Sequence, residues 1–134
     1  MNDEKLLRFA RWFAVAAGGG DFLTGLGLVA VPALTLGAMG VAGPGAEALV
    51  FLRFIGAFVG AVGASYWIAL AARRPDRLWA VFRVTLVLRL SAGTFVLGAV
   101  ATGALAWPWL SVTATDFLIA AVQTWLLGRE PKHE

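Results

Sequence analysis

The sequence predicts an all-α integral membrane protein, a four-helix antiparallel bundle with both termini in the cytoplasm. Three observations lead to this fold class. Of 134 residues, 60% are hydrophobic and only 14% are charged, whereas a soluble domain carries about 25% charged residues. The apolar residues fall in four long segments, and Lys and Arg avoid two of the three connections between them. This length favours a single transmembrane domain, residues 1–134.

The four apolar segments are long enough to cross a bilayer as helices. They are residues 9–31, 47–71, 78–102 and 108–127. A helix needs about 20 residues to cross roughly 30 Å of hydrocarbon, whereas β-barrel strands would alternate in character over about ten residues. Pro75 and Pro108 mark the second and third connections, because proline interrupts a helix. The first connection, 32–46, is uncharged, so we expect it on the membrane surface or folded back over the bundle.

Positive charge flanks the segments on one side only. Nine of the eleven Lys and Arg residues lie before or at the start of the first segment, around the second connection or after the fourth segment: Lys5, Arg8, Arg11, Arg73, Arg74, Arg77, Arg83, Arg129 and Lys132. By the positive-inside rule, we expect both termini to face the cytoplasm. Interface anchors are expected at Trp12, Trp79 and Trp125 on the inner side and at Trp107 and Trp109 on the outer side. His133 is expected to be solvated.

Four charged residues lie well inside the apolar segments, away from their ends. They are Asp21, Arg53, Arg89 and Asp116, and counting from the segment ends places them in one layer near the midplane. An unpaired charge there costs about 2.5–3.5 kcal/mol. We therefore expect Asp21 to pair with Arg53, and Asp116 with Arg89. The crossed pairs, Asp21–Arg89 and Asp116–Arg53, remain open alternatives.

Two further residues join this candidate layer by helical spacing. Gln123 continues the polar stripe of Asp116, and Trp67 shares the helical face of Arg53. Hydroxyl groups that could add to the layer are those of Thr24, Ser65, Tyr66, Thr85, Ser91 and Thr94. Intramembrane ionisable groups are candidates for function, but the alternative is that the ion pairs only specify how the helices associate.

Glycines on the same helical faces predict close packing between helices. Gly18 and Gly25 share the face of Asp21, and Gly56-x-x-x-Gly60 follows Arg53. Small residues let helix backbones approach each other in a membrane, where association depends on packing and internal hydrogen bonds.

Composition argues against most catalytic chemistry. The chain has no cysteine, and its one histidine, His133, lies outside the segments, so ligands for haem or zinc are lacking and we expect no metal site. The glycine-rich stretch "GGGDFLTG" lacks the lysine of a phosphate-binding loop. Because the basic residues flank membrane segments, we expect no nucleic-acid partner. We predict no catalytic residues and favour a protein that is not an enzyme.

Three stretches resemble a known family. They are "LRFIGAFVGAVGASYWIALAARRPDR", "LRLSAG" one helix later, and "TDFLIAAVQTWLLGR". In them the chain resembles small bacterial four-helix membrane proteins of the broad DoxX-like type. The resemblance implies a four-helix bundle in the bacterial cytoplasmic (inner) membrane, mostly of unassigned function, with some members associated with membrane oxidoreductases and quinone-linked electron transfer.

The predicted function is that of a non-catalytic membrane protein. It is either an accessory subunit or a binder of a lipophilic or quinone-like ligand, with Arg53 and Arg89 facing the polar head of that ligand. The alternative is a small oligomeric transporter or channel that uses the Asp/Arg layer to move protons or anions. Membrane lipids are the expected partners, and no cofactor is expected. A bound lipid or quinone, and a homodimer or larger membrane complex, are left open.

Overall fold

The computed structural model describes residues 2–131, and these residues form helices joined by short connections. The helices are α1 (Asp3–Ala30), α2 (Pro32–Ala38), α3 (Ala46–Ala71), α4 (Pro75–Ala101) and α5 (Leu110–Leu127), with a 3-10 turn at Trp107–Trp109 before α5. Four helical segments, with the last counted as Trp107–Leu127, are long and apolar enough to cross a membrane. The all-helical prediction with four membrane-length helices is therefore confirmed for the described residues. Lys132 and His133 lie outside them.

The first helix begins earlier than the predicted segment. It starts at Asp3 because the Asn2 side chain caps it, accepting a hydrogen bond from the Lys5 backbone N–H at 3.1 Å. Asp3 and Glu4 in the first turn also complement the positive end of the helix dipole. The first helix therefore extends about one and a half turns beyond the apolar run.

The first connection contains a short helix that the sequence analysis did not predict. In α2, Pro32 occupies the first turn, where its missing N–H costs nothing. The Leu36 side chain is buried in a small cluster with Leu28 of α1 and Leu52 of α3. Of the two expected arrangements, the structure has the one in which this connection folds back over the helices.

Helices α1 and α3 pack closely through glycines, as predicted. A Cβ atom at Gly25 would overlap the backbone of Gly60 and Gly56, and one at Gly63 would lie 2.6 Å from the Gly18 carbonyl oxygen. The helices α1 and α3 therefore run in opposite directions. Since no side chain fits between these glycines, the two helices form one tightly joined pair, the α1/α3 pair.

Helices α4 and α5 form a second pair, the α4/α5 pair. The Thr113 hydroxyl donates to the Gly93 carbonyl oxygen at 3.2 Å, and a Cβ atom at Gly93 would lie 2.7 Å from the Phe117 ring. Near the C-terminal end of α5, Arg83 of α4 forms an ion pair with Glu130, which follows α5. The α4/α5 pair is thus held by polar contacts as well as by packing.

Large side chains fill the space between the two pairs. Tyr66, Trp79, Phe82 and Leu126 are buried there. The expectation that Trp79 anchors the protein at the membrane interface is wrong: its side chain is 2% exposed and packs edge-on against Phe82. Trp12, by contrast, is 74% exposed, as an anchor requires. Helical spacing distinguishes them, because Trp79 lies on the face of α4 that carries Phe82.

Candidate functional site

A single arginine lies between two carboxylates in the interior of the helical assembly. Arg89, on α4, is 5% exposed. Its Nη1 donates to Asp116 Oδ1 of α5 at 2.9 Å, and its Nη2 forms an ion pair with Asp21 Oδ2 of α1. Both aspartate side chains are 15% exposed. We call these three residues the triad.

The triad corrects the predicted pairing. The pairing of Asp116 with Arg89 is confirmed, but that of Asp21 with Arg53 is wrong, because Asp21 takes the crossed partner, Arg89. Arg53 is exposed, and no ion pair involves it among residues 2–131. The predicted layer of four charges is therefore a layer of three.

Helix register explains why Arg53 does not reach the triad. Gly25 lies against Gly60, and Gly63 lies against Gly18 and Phe22, so Asp21 is level with the stretch of α3 between Gly60 and Gly63. Arg53 precedes Gly60 by about two helical turns, or roughly 10 Å. Counting residues from the segment ends placed Arg53 level with Asp21. The actual axial position of α3 relative to α1 is set by the glycine contacts, which such a count does not include.

Gln123 belongs to a second polar cluster beside the triad. Its Nε2 donates to the Tyr66 hydroxyl at 2.8 Å and to Thr85 Oγ1 at 2.7 Å. The Tyr66 hydroxyl donates to Thr85 Oγ1 at 2.9 Å, and the Thr85 hydroxyl donates to the Val81 carbonyl oxygen at 2.8 Å. The cluster joins α3, α4 and α5, and its three side chains are buried. We call Tyr66, Thr85 and Gln123 the amide cluster.

Spacing along the helices places the triad and the amide cluster next to each other. Thr85 and Arg89 are one turn apart on α4, and Asp116 and Gln123 are about two turns apart on the same side of α5. Ala120, between them on α5, is buried and small. In the sequence, these two spacings are the pattern that indicates a polar cluster next to the triad. Among the six candidate hydroxyls, however, only the tertiary contacts single out Tyr66 and Thr85.

Two polar atoms in this region have no protein hydrogen-bond partner among the described residues. They are Arg89 Nε, a donor, and Gln123 Oε1, an acceptor, and both are buried. Buried polar groups are normally paired, so each retains capacity for a further hydrogen bond. The triad and the amide cluster therefore form one polar column inside an apolar protein.

Trp67 lies away from this column. Its indole packs against Phe22 with ring centroids 5.0 Å apart, and it is 39% exposed. Gly18 lies beneath it. Of the six residues predicted for the site, the structure brings together Asp21, Arg89, Asp116 and Gln123, and leaves Arg53 and Trp67 on the outside of α3.

Comparison with protein-family models, with curated proteins and with solved structures gave no match. The DoxX-like resemblance therefore stays a prediction, and the case for a function depends on the geometry of the polar column.

Proposed function

We propose that the protein is a non-catalytic module of the bacterial inner membrane that binds and releases a proton at the triad. In this proposal the four long helices form an antiparallel bundle with both termini in the cytoplasm. The observation that carries it is the sharing of one guanidinium, that of Arg89, by the carboxylates of Asp21 and Asp116. Of the two predicted functions, this sharing favours the one that uses the Asp/Arg layer for protons.

Charge balance supports proton binding. With both carboxyl groups ionised, the triad carries one net negative charge in an apolar region. An uncompensated charge in such surroundings is costly, and a buried acid reduces the cost by taking up a proton. One proton on either carboxyl group makes the triad neutral, whereas a second proton would leave it with a net positive charge. The triad is therefore suited to hold one proton.

The position of the triad suggests what this proton changes. Asp21 belongs to the α1/α3 pair, whereas Arg89 and Asp116 both belong to the α4/α5 pair. When Asp21 is ionised, the Asp21–Arg89 ion pair links the two helix pairs. When Asp21 is protonated, Arg89 retains its charged partner within its own helix pair. Proton binding would thus weaken one contact between the two helix pairs and let them move relative to each other. A transporter or a regulated subunit can use such a movement.

A distance measurement between the helix pairs tests this proposal. The chain contains no cysteine, so spin labels can be attached at cysteines introduced at Leu26 of α1 and Leu97 of α4, which are both exposed. In lipid nanodiscs, we expect the label distance to change between neutral and acidic pH. Asp21→Asn should hold the acidic distance at every pH, and Asp116→Asn should hold the neutral one.

The matched control uses a label pair within one helix pair. Leu26 and Phe54 are both exposed on the glycine-packed α1/α3 pair, and their distance should not respond to pH. A distance between Leu26 and Leu97 that is the same at both pH values would contradict the proposal. So would a change that persists in both asparagine variants.

Binding of a lipophilic or quinone-like ligand is the second candidate. An open, mostly apolar cleft of about 430 Å³ lies near the end of α2 and the start of α5, lined by Met39, Gly40, Trp107, Pro108, Leu110, Ser111 and Ala114. Its volume falls within the range of roughly 300–1,000 Å³ for ligand pockets. Decylubiquinone added to nanodiscs should quench tryptophan fluorescence saturably, and less so in Trp107→Leu. Quenching that does not saturate would exclude this site.

A further inference from the structure

Three arginines from two separate parts of the chain line one small cleft. Arg11 comes from the early part of α1, whereas Arg73 and Arg74 form the turn between α3 and α4. The apolar side of the cleft consists of Ala69, Leu70, Pro75 and Leu78. The cleft lies at the end of the bundle that the positive-inside rule places in the cytoplasm, far from the triad. We call Arg11, Arg73 and Arg74 the arginine cleft.

The backbone at Arg73 is strained. Its φ is +54°, which makes it the one non-glycine residue with positive φ in the described part of the chain. It follows the end of α3, where helices commonly place glycine because an L side chain disfavours this conformation. Arginine has no local hydrogen-bonding advantage here of the kind that asparagine has. A strained residue that keeps a long charged side chain raises the hypothesis that this side chain binds a ligand.

Part of the positive charge of the cleft has no carboxylate partner among the described residues. Arg74 is held by two hydrogen bonds to Asp76, at 2.9 and 3.2 Å. Arg11 and Arg73 have no carboxylate partner within residues 2–131, although Arg8 and Arg83 at the same end do. Two guanidinium groups therefore remain available, and guanidinium binds phosphate through paired N–H donors.

The size of the cleft limits what can enter it. Its volume is about 10 Å³, roughly the space that one water-sized group requires. One phosphate oxygen fits such a space, whereas an acyl chain does not. Trp12, next to Arg11, is 74% exposed, and exposed tryptophan is typical of the level of lipid headgroups. A phosphate at the mouth of the cleft would therefore lie at headgroup depth.

We propose that the arginine cleft binds the phosphate of an anionic phospholipid headgroup. Arg11 and Arg73 donate to the phosphate oxygens, and Asp76 orients Arg74 beside them. This site is independent of proton binding at the triad, because it lies at the end of the bundle and shares no residue with the polar column. It gives the membrane lipids that the sequence analysis expects as partners one defined position on the protein.

Native mass spectrometry can count retained lipid molecules and so tests this proposal. The protein is released from nanodiscs that contain phosphatidylcholine and phosphatidylglycerol in equal amounts. We expect the wild type to retain phosphatidylglycerol in preference to phosphatidylcholine. Arg73→Gly should retain at most about one fifth as much phosphatidylglycerol as the wild type. Because glycine relieves the strain at this position, the melting temperature of Arg73→Gly in phosphatidylcholine nanodiscs should equal or exceed that of the wild type.

Two matched variants separate a site from general attraction by positive charge. Arg11→Gln should lower retention as Arg73→Gly does. Arg77→Gln removes an exposed charge from the same end, outside the cleft lining, and should leave retention unchanged. Equal losses in all three variants would overturn the proposal, as would wild-type retention in both Arg11→Gln and Arg73→Gly.

A soluble competitor distinguishes the two sources of phosphate. Inorganic phosphate at millimolar concentration should not displace phosphatidylglycerol from the wild type, because a lipid also gains from its acyl chains in the bilayer. Displacement by inorganic phosphate, with no preference for phosphatidylglycerol over phosphatidylcholine, would overturn the assignment to a lipid.

Discussion

At the scale of residues, Arg89 is the centre of the molecule's polar interior. Among residues 2–131, it is the one buried arginine of the long helices, and it meets carboxylates from two helices. The sequence predicted that Asp21, Arg53, Arg89 and Asp116 form two ion pairs at membrane depth, because unpaired charges there are costly. It left two pairing schemes open, and the structure follows neither in full, because Arg89 pairs with both aspartates. The register of the glycine contacts, which no residue count supplies, keeps Arg53 away from the triad.

Replacing Arg89 should destabilise the protein more than replacing either aspartate. Arg89→Gln leaves two neighbouring carboxyl groups without a cation, and removing one partner of a buried ion pair costs about 3–5 kcal/mol. Asp21→Asn or Asp116→Asn leaves one complete ion pair, so each should cost no more than about 3 kcal/mol, the upper range for a hydrogen bond to a charged group. Thermal unfolding in a mild detergent gives the comparison.

Arg53 provides the control for this prediction. It is also an arginine within an apolar helix, but it is exposed and outside the triad. Its long side chain can extend toward the membrane surface. Arg53→Gln should therefore change stability by no more than about 0.5 kcal/mol. If Arg53→Gln is as damaging as Arg89→Gln, the assignment of Arg89 as the shared partner loses its support.

The amide cluster makes a second prediction at this scale. Gln123 donates both of its amide hydrogens, to Tyr66 and to Thr85. Gln123→Leu keeps a similar volume and removes both donors, so the Tyr66 hydroxyl and Thr85 lose a buried partner, at a cost of about 1–3 kcal/mol. Gln123→Leu in a Tyr66→Phe background should cost less, because one of the two acceptors is already gone. Equal losses in both backgrounds would show that the two side chains act independently.

At the scale of elements, the molecule consists of two helix pairs that are joined in different ways. Glycines bring α1 and α3 into backbone contact, whereas α4 and α5 are held by polar contacts and by Gly93. The sequence predicted the glycine contacts, because small residues recur on one face of each helix. It did not predict α2, because this helix has seven residues and its burial depends on Leu28 and Leu52 of other helices.

Two glycines of α1 should respond in opposite ways to alanine. A Cβ atom at Gly25 would overlap the backbone of α3, whereas one at Gly20 would have no neighbour within 4 Å. Gly25→Ala should therefore separate the two helices and cost about 1–3 kcal/mol. Gly20→Ala should stabilise the helix by about 0.5–1 kcal/mol. Thermal unfolding of the two variants measures this, and equal effects would contradict the packing of α1 on α3.

At the scale of the whole molecule, positive charge predicts the orientation in the membrane. The connection between α1 and α3 contains no Lys or Arg, whereas the turn between α3 and α4 contains Arg73 and Arg74. A reporter that is active only outside the cytoplasm should be active when inserted at Gly43 and inactive when fused after Glu134. If both fusions report the same side, the assignment of four membrane-spanning helices is wrong.

The central claim is that Asp21 and Asp116 share one guanidinium and, between them, hold one proton. Infrared spectroscopy of the protein in nanodiscs detects the carbonyl stretch of a protonated, buried carboxyl group. We expect this band in the wild type, and its loss in Asp21→Asn and equally in Asp116→Asn, because either variant leaves one carboxylate fully paired with Arg89. Asp76→Asn, which changes an exposed carboxyl group paired with Arg74, should keep the band. A band that survives in both triad variants, or that is absent from the wild type across the pH range in which the protein is folded, would contradict the claim.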